Sequence, residues 1–417
     1  MTLSRRVLAR ATLRVGLSSA GEVVGRAVNV MLPFALFAVH GIGTDTDRFF
    51  LALAVGFFVQ GTLANAVASG LVPELVDDRE PRSLAAFVAA AGGAGASAGI
   101  FAVALVGISP VSLAGAVTAV AIAVLGSAGL IAAPAVAVLN AEHRYGAPGL
   151  TWSLRIVPIA LYLLWQPGFP LLHWLLAGLA AADAARGFIL LRLAGPRLHF
   201  GRGRRLHFPR TALHLMLGSA IAGLVPLALR SIAAAGASGS VSQFEAAERV
   251  YGAVASLATI GVGNVALVYL ARLRGTSDET AGWRMILQAS LLWSMLWLTA
   301  CVALWAAFPL VAPWLRLPDA NGLADVRNTF LALAFGMPGF IITGMFGRRM
   351  LTAGLAARFV PVTSAGVTFA IGSGWLLFPV LGSVGLGVAV AGSQYVVSSL
   401  MYVALQRRER RAHPRAV

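Results

Sequence analysis

The chain has 417 residues, of which 58% are hydrophobic and only 12% are charged, and its mean hydropathy is +0.81. Soluble domains carry about 25% charged residues, so the composition excludes a soluble protein and indicates one with many membrane spans. The net charge is +16, all of it from arginine rather than lysine. Because arginine collects in the cytoplasmic loops of membrane proteins, we expect no nucleic-acid partner.

Apolar runs separated by polar, Gly or Pro breaks predict an all-α, polytopic membrane protein of about 12 transmembrane helices, since about 20 apolar residues cross a bilayer core. The runs lie at 17–42, 47–75, 83–107, 111–140, 148–165, 169–194, 211–236, 241–271, 284–310, 325–347, 355–379 and 383–406. The arginine-rich start resembles a signal peptide. The run after it is long, contains Glu22 and Arg26 and leads directly into another span, so we expect a retained first helix.

The distribution of arginine predicts the orientation. If the N-terminus is cytoplasmic, the outer segments hold only Arg48, Arg316 and Arg327, and the inner segments hold most of the others. The positive-inside rule then places both termini in the cytoplasm. The expected location is the inner membrane of a bacterium.

Two pairs of similar stretches indicate an internal duplication. Gly43–Val72 resembles Gly239–Val268 in layout, and Arg155-Ile-Val-Pro is echoed by Arg358-Phe-Val-Pro. Two halves of the same orientation predict parallel repeats with the substrate path, a central cavity, between them. The predicted parts are an N-terminal six-helix lobe at 1–194, a cytoplasmic basic linker at 195–210, a C-terminal six-helix lobe at 211–406 and a cytoplasmic basic tail at 407–417.

Four charged residues within the predicted spans fit a structural role. Arg155, Arg186 and Arg192 lie near predicted cytoplasmic ends, where arginine can extend to the headgroups. Asp183 lies three residues before Arg186, and the two are expected to pair. Trp152 is expected to belong to the interfacial aromatic belt.

A second group fits a binding site. Glu22 and Arg26 lie on predicted helix 1, Arg230 lies on helix 7, and helix 8 contributes a third set near its outer end: Glu245, Glu248 and Arg249. Charged residues inside a membrane usually face a partner or a water-filled cavity. Arginine suits a phosphate-bearing substrate because its planar fork donates two parallel hydrogen bonds. The alternative is an internal salt-bridge network that joins the halves.

Signals for catalysis, metals and cofactors are weak. The histidines are scattered, without paired metal spacing, and no catalytic motif of the hydrolase or metalloprotease kind occurs. The single cysteine, Cys301, excludes a disulfide within the chain and a cysteine-based metal site. We therefore expect neither an enzyme nor a metal or other cofactor.

The segment GTDTDRFFLALAVGFFVQGTLANAVASGLVPEL resembles helices 1 and 2 of the MurJ/MviN-type lipid II flippases. The matching positions are Thr46, Asp47, Phe49, Phe50, Val72 and Pro73. Arg26 falls at the family's helix 1 arginine. GSVSQFEAAERVYG is similar to the family's helix 8 region, which places Arg249 at a cavity arginine and Glu248 beside it. The resemblance implies the multidrug/oligosaccharidyl-lipid/polysaccharide (MOP) exporter superfamily, whose two six-helix lobes work by alternating access.

The chain also departs from that family. Ala27 stands where an aspartate is expected, Val59 and Gln60 stand near the helix 2 basic pair, and the predicted helices number twelve rather than fourteen. The resemblance therefore implies a flippase for a lipid-linked glycan in general rather than for lipid II in particular.

These observations combine into one hypothesis, a flippase that moves a polyprenyl-pyrophosphate-linked glycan from the inner to the outer leaflet. Arg26, Arg230 and Arg249 would bind the pyrophosphate. Glu22, Glu245 and Glu248 would orient them or bind a coupling cation or proton. Asp47 would cap helix 2 and shape the outer gate, since Asp is favoured at an N-cap. Membrane lipids are the other expected partners.

Three alternatives remain at this point. The first is a cation-coupled exporter of drugs or metabolites on the same scaffold, which should carry acidic cavity residues. The second is a polyprenyl-dependent membrane glycosyltransferase, which would need an acidic catalytic loop outside. The third is a transport-inactive scaffold retained for partner binding.

Overall fold

The computed structural model describes residues 27–412, except for 78–79, 143, 145, 166–171, 202, 205, 207–209, 274–278 and 312–319. The chain divides into two compact units, Met1–Gly223 and Leu224–Val417. The division falls within one long helix, Arg210–Ala234. The lobe limits expected at 194 and 211 stay a prediction.

The first unit is built almost entirely from helices. In chain order they are α1 (Ala27–His40), α2 (Thr44–Phe57), a π-helix (Phe58–Leu63), α3 (Ala64–Asp77), α4 (Ala85–Val106), α5 (Leu113–Ala141), α6 (Gly146–Leu150), a 3-10 helix (Thr151–Arg155), α7 (Ile156–Trp165), α8 (Leu172–Ala194) and a 3-10 helix (Gly195–Arg197). The helix α5 is central, because it packs against α2, α3, α4 and α8.

Small residues let α4 approach α5 closely. A methyl group added at Gly99 would lie 2.3 Å from the backbone oxygen of Ala119, and one at Gly95 would lie 2.4 Å from that of Ala123. Such contacts are typical of helix packing in membranes, where small side chains let backbones meet. On the same helix, a methyl group added at Gly92 or Gly93 would meet no atom within 4 Å among the described residues, so these two glycines take no part in this packing.

A two-residue parallel strand pair joins distant parts of the first unit. Strand β1 (Arg82–Ser83) pairs with β2 (Leu198–His199). The backbone N–H of Ser83 also donates to the carbonyl oxygen of Arg204 over 2.8 Å. The start of the predicted basic linker is therefore bonded to the segment before α4. No strand was predicted there, since two residues carry no periodic pattern.

The second unit continues from α9 (Arg210–Ala234). Its elements are α10 (Ser240–Leu273), α11 (Glu279–Val311), α12 (Ala320–Ala334), α13 (Met337–Thr352), a 3-10 helix (Ala356–Arg358), α14 (Phe359–Leu381) and α15 (Ser383–Ala412). The helix α15 packs against α12, α13 and α14, and α10 packs against α11, α12 and α13. The two helices α10 and α15 thus form the centre of this unit.

Most of these helices are long enough to span a membrane. Within the described residues, nine helices are long and apolar enough to cross a membrane, and Gly322–Ala334 with Met337–Met350 forms a tenth that is bent by 41°. The shorter apolar helix α1 and the 34-residue helix α10 occupy the other two predicted positions. The prediction of an all-α polytopic membrane protein is confirmed. The bend was not predicted, although Pro338 at its second half lacks a backbone donor.

Candidate functional site

Four of the predicted site residues meet in the second unit. Arg230 lies near the end of α9, and Glu245, Glu248 and Arg249 lie in the first third of α10. Positions three and four residues apart share one face of a helix, so α10 presents its three charges together. We call these residues the α9–α10 cluster.

Each arginine of the α9–α10 cluster is bound to a carboxylate. Arg230 donates to one oxygen of Glu245 and to Glu248, while Nε of Arg249 donates to the other oxygen of Glu245. The side chains of Arg230 and Arg249 are each 8% exposed, and that of Glu245 is 2% exposed, whereas Glu248 is 24% exposed. Glu248 is therefore the open edge of an otherwise buried network.

The α9–α10 cluster is electrically balanced, with two arginines and two glutamates. Removing one partner from such a buried pair is costly, because the charge left behind has no compensation. Taken alone, the network would stabilise the fold, as the salt-bridge interpretation of these charges predicts. It also holds the two guanidinium groups in fixed positions. An anionic ligand that displaced Glu248 at the open edge would bind to these groups.

The other predicted site residues lie apart from this cluster or outside the described residues. Glu22 and Arg26 fall outside them. Asp47 belongs to the first unit and does not cap α2, because the N-cap is Gly43 and the backbone N–H of Asp47 donates to the oxygen of Gly43 over 2.9 Å. The side chain that bonds the cap is Thr46, whose Oγ1 accepts from the N–H of Gly43. The role of Asp47 at an outer gate stays a prediction.

A second buried ion pair lies in the first unit, between two residues that the sequence analysis did not pair. Arg155 donates through Nε and Nη2 to the two carboxylate oxygens of Asp183, over 3.0 and 2.7 Å. Its Nη1 donates to Asn29 over 2.8 Å and its Nη2 to Gln60 over 2.6 Å. We call these four residues the Arg155 cluster. It joins α1, the π-helix, the 3-10 helix before α7, and α8.

The Arg155 cluster corrects two expectations. Arg155 is only 3% exposed, so it does not extend to the headgroups. Asp183 pairs with Arg155 rather than with Arg186 on its own helix. The ring of Trp152 has two cations close to it, with the guanidinium of Arg155 at 4.5 Å and that of Arg186 at 3.8 Å, and its place in an aromatic belt stays a prediction. Stacking on an indole face stabilises a partly desolvated guanidinium.

The π-helix brings Gln60 into this cluster. Its wider turn departs from the α-helical geometry on either side, and such single-turn bulges are frequent at functional sites. Gly129 of α5 lies directly against Gln60, because an added methyl group would be 2.4 Å from its Cγ. The missing side chain at 129 therefore lets the π-helix pack closely on α5.

We expect Gly129→Ala to lower the free energy of unfolding by about 1–3 kcal/mol, the usual cost of overpacking a core. The added methyl group would also lie 2.8 Å from the Cα of Gln60, so a change of side-chain rotamer cannot remove the clash. Thermal unfolding of the purified protein in detergent measures the effect. The matched control is Gly92→Ala in α4, where the methyl group enters open space. Equal melting points for the two variants would contradict the packing assignment.

Sequence reasoning missed residues whose role depends on tertiary neighbours. Asn29 and Gln60 are ordinary polar residues in apolar runs, and nothing local marks them as partners of Arg155. One signal existed for Gln60, which stands near the basic pair of the resembled family. A further polar chain in the second unit was also missed: Thr329 donates to Ser383 over 2.9 Å, and Ser383 donates to Gln243 over 3.4 Å.

The described part of the chain contains no group of three or more His, Cys, Asp or Glu side chains placed to hold a metal ion. The carboxylates of both clusters are bound by arginines instead. What these clusters offer chemically is therefore guanidinium groups and their counter-charges.

Comparison with known proteins gives matches in structure alone. No protein-family model matches the chain, and no curated protein matches it. A lipid II flippase, MurJ, in an inward closed conformation has a TM-score of 0.66 at 15% identity, covering 94% of this chain and 87% of that chain. An inward-facing multidrug resistance MATE family transporter of the MOP superfamily has a TM-score of 0.61 at 15% identity, covering 97% and 96%. The outward-facing conformation of a MATE family transporter gives 0.63 at 12% identity, covering 95% of each chain.

The helices and these matches define a multi-pass membrane protein with a transporter fold. More particularly, its fold is the one shared by the MurJ flippase and the MATE transporters of the MOP superfamily. The fold that the sequence resemblance implies is therefore confirmed. At these identities the likeness extends to the fold and not to the cargo.

Proposed function

We propose that the protein is a flippase for lipid-linked glycans, which moves a polyprenyl-pyrophosphate-linked sugar from the inner to the outer leaflet by alternating access. The observation that carries the proposal is the α9–α10 cluster, in which the side chains of Arg230 and Arg249 are each 8% exposed and are held by carboxylates on a helix pair. Guanidinium groups bind phosphate oxygens through paired, charge-assisted hydrogen bonds. The fold is shared with a protein described as a lipid II flippase, so it is compatible with this class of cargo.

The carboxylates then have a defined part in the cycle. In the absence of cargo, Glu245 and Glu248 hold both arginines and balance their charge. An arriving pyrophosphate would replace Glu248 first, because that side chain is the most exposed member. We extend the proposal to Arg26, which the resemblance implies as a further arginine for the pyrophosphate, and to Glu22, which would orient it or bind the coupling ion. The released carboxylates are then available to a coupling cation or proton.

The proposed setting is the inner membrane of a bacterium, with both termini in the cytoplasm. The excess of arginine in the segments assigned to the inside supports this orientation. The polyprenyl chain of the cargo would remain in the lipid while the pyrophosphate and glycan cross through the protein.

The second candidate is a cation-coupled exporter of drugs or metabolites. One observation favours it, since the MATE structures match over 95–96% of their own length while MurJ matches over 87% of its length. The chemistry of the two clusters favours the flippase, because Asp183, Glu245 and Glu248 are each bound to an arginine. A carboxylate held by arginine is a poor ligand for a free cation until the pair opens.

We expect wild-type protein to restore growth to a strain depleted of its lipid II flippase, and Arg249→Ala to fail at an equal level in the membrane. Arg249→Lys keeps the charge and loses the bidentate fork, so it should rescue only in part. Arg358→Gln, a change at an exposed arginine of the second unit, is the matched control and should rescue fully.

The results that would contradict this prediction can be distinguished from one another. Full rescue by Arg249→Ala would remove this arginine from the anion site. Failure of well-expressed wild-type protein would exclude lipid II as the cargo, and flipping of a fluorescent polyprenyl-pyrophosphate sugar in proteoliposomes would then test the wider class. Drug resistance conferred on a susceptible strain, without such flipping, would favour the exporter.

A further inference from the structure

The first unit contains a cavity of about 180 Å³ where several helices end. Helix α1 ends there at His40, α2 begins at Thr44, α4 ends at Val106 and α8 begins at Leu172. Helix ends of a membrane protein lie near the headgroup regions that flank the hydrocarbon core. The predicted orientation places this end of the unit outside. The cavity lies wholly within the first unit and is separate from the α9–α10 cluster.

The cavity combines a buried apolar floor with an exposed polar rim. Phe49 and Leu176 of the lining are only 2–3% exposed. The polar residues of the lining are His40, Asp45, Arg48, His173 and the buried Thr118. An apolar pocket with a few polar groups at its mouth is the usual form of a small-molecule site.

Both signs of charge are available on the rim. Asp45 and Arg48 are exposed, three residues apart on the first turns of α2. Their side chains make no hydrogen bond or ion pair with any residue that the structure describes, although Asp45 interacts electrostatically with His40. They differ in this respect from Asp183 and Arg155, which bind each other in the core of the same unit.

The two histidines have different surroundings. The Nε2 atom of His40 lies 2.7 Å from the hydroxyl oxygen of Tyr162, which holds the ring in place. The Nε2 atom of His173 is buried and has no hydrogen-bond partner among the described residues. Buried polar atoms without a partner are rare in folded proteins. The burial of this nitrogen places it away from the accessible space of the cavity, so we assign it no ligand.

Size limits what the cavity can hold. Sites for drug-sized molecules have volumes of about 300–1,000 Å³, which is well above the 180 Å³ found here. The cavity is therefore too small for a drug or for the glycan of a lipid-linked sugar. It suits a group of a few non-hydrogen atoms that carries both charges.

We propose that this cavity binds a small zwitterionic group, such as a phosphoethanolamine headgroup or an amino acid. Arg48 binds the phosphate or carboxylate, Asp45 binds the ammonium group, and the apolar floor packs against the carbon atoms between them. The shared chemistry is one anion and one cation separated by a short apolar linker. The site is independent of the proposed transport function.

The test uses the purified full-length protein and three probes that differ in charge. O-phosphoethanolamine carries both charges, glycerol 3-phosphate carries only the anion, and ethanolamine carries only the cation. Calorimetric titration should show O-phosphoethanolamine binding at least about tenfold more tightly than either of the others, a factor that one charge-assisted hydrogen bond provides. Asp45→Asn and Arg48→Gln should each weaken its binding by a similar factor.

Matched controls are Glu80→Gln and Arg358→Gln, which remove exposed charges elsewhere and should bind like wild type. Thermal unfolding of each variant confirms that the fold is retained. Wild-type affinity in both Asp45→Asn and Arg48→Gln would overturn the proposal. So would equally tight binding of glycerol 3-phosphate and O-phosphoethanolamine.

Two further arms identify the source of the group. If it is a lipid headgroup, mass spectrometry after delipidation should find phosphatidylethanolamine retained over phosphatidylglycerol by wild type and not by Arg48→Gln. If it is soluble, alanine should bind as tightly as O-phosphoethanolamine and no lipid should be retained. Absence of retained lipid together with absence of binding to alanine and O-phosphoethanolamine overturns the proposal.

Discussion

Arg155→Gln should lower the free energy of unfolding by about 3–5 kcal/mol, the cost of leaving a buried charge without its partner. The charge left behind is Asp183, whose side chain is 1% exposed. The substitution also removes donors from the side-chain oxygens of Asn29 and Gln60. Reversible chemical denaturation in detergent, or thermal unfolding where refolding fails, measures the loss.

The repeated motif supplies the control for this prediction. Arg155 and Arg358 each end a 3-10 helix and each precede an α-helix that opens on a Val-Pro pair. Arg358 is exposed, so Arg358→Gln should change the free energy of unfolding by about 0.5 kcal/mol or less, as is usual for surface substitutions. Equal losses in the two variants would mean that the Arg155–Asp183 pair carries no special weight.

A double substitution separates the ion pair from the packing around it. Arg155→Met with Asp183→Leu removes both charges, and replacing a buried pair by apolar side chains is often neutral or stabilising. We expect the double variant to be more stable than Arg155→Gln alone. A double variant less stable than either single one would show that the hydrogen bonds to Asn29 and Gln60 outweigh the charge pair.

Glu245→Gln should have the second large effect, also about 3–5 kcal/mol, because it takes the carboxylate from two buried arginines at once. Arg230 and Arg249 bind the two oxygens of Glu245. Glu248→Gln should cost less, since Glu248 is 24% exposed and binds Arg230 alone. Thermal unfolding of the two variants tests this order.

The surface pair of Glu80 with Arg204 provides the matched control, because both side chains are more than half exposed. Glu80→Gln should change the free energy of unfolding by about 1 kcal/mol or less, as exposed ion pairs contribute little. If Glu245→Gln were no worse than Glu80→Gln, the α9–α10 cluster would not be a stabilising network. The case for a pure binding role of its arginines would then be stronger.

The helices could be predicted from sequence because hydropathy and Gly/Pro breaks are local signals. The predicted run 383–406 lies within α15, and 211–236 differs from α9 by one or two residues at each end. Partners could not be predicted in the same way. Asp183 has Arg186 one turn along, yet it pairs with Arg155 from another helix, and the choice depends on which helices become neighbours.

Some irregularities of the backbone could be predicted from the sequence and others could not. The bend before α13 had a signal in Gly336-Met-Pro-Gly339, which combines a missing donor with flexible neighbours. The π-helix at Phe58–Leu63 had none that propensity would detect, since its sequence contains no proline and only Gly61 stands out. The N-cap of α2 was placed wrongly because Asp47 is a good capping residue by type. The capping contact is instead made by Thr46 one residue earlier.

The α9–α10 cluster was predicted in part, because spacing alone puts Glu245, Glu248 and Arg249 on one face of a helix. The approach of Arg230 from α9 was expected only because charged residues inside a membrane usually face a partner or a water-filled cavity. That a carboxylate binds each of the two arginines depends on side-chain geometry, and no pattern in the sequence indicates that geometry.

The ion pairs also bear on how the protein enters the membrane. Arg155 and Asp183 lie 28 residues apart on successive spans, and Arg230 and Glu245 lie 15 residues apart across the turn between α9 and α10. A single charge at the centre of a span costs about 2.5–3.5 kcal/mol on insertion scales. Each hairpin contains both partners of its ion pair, so the pair can form as soon as the second helix has been synthesised. Neither charge then has to wait for a distant segment of the chain before it is compensated.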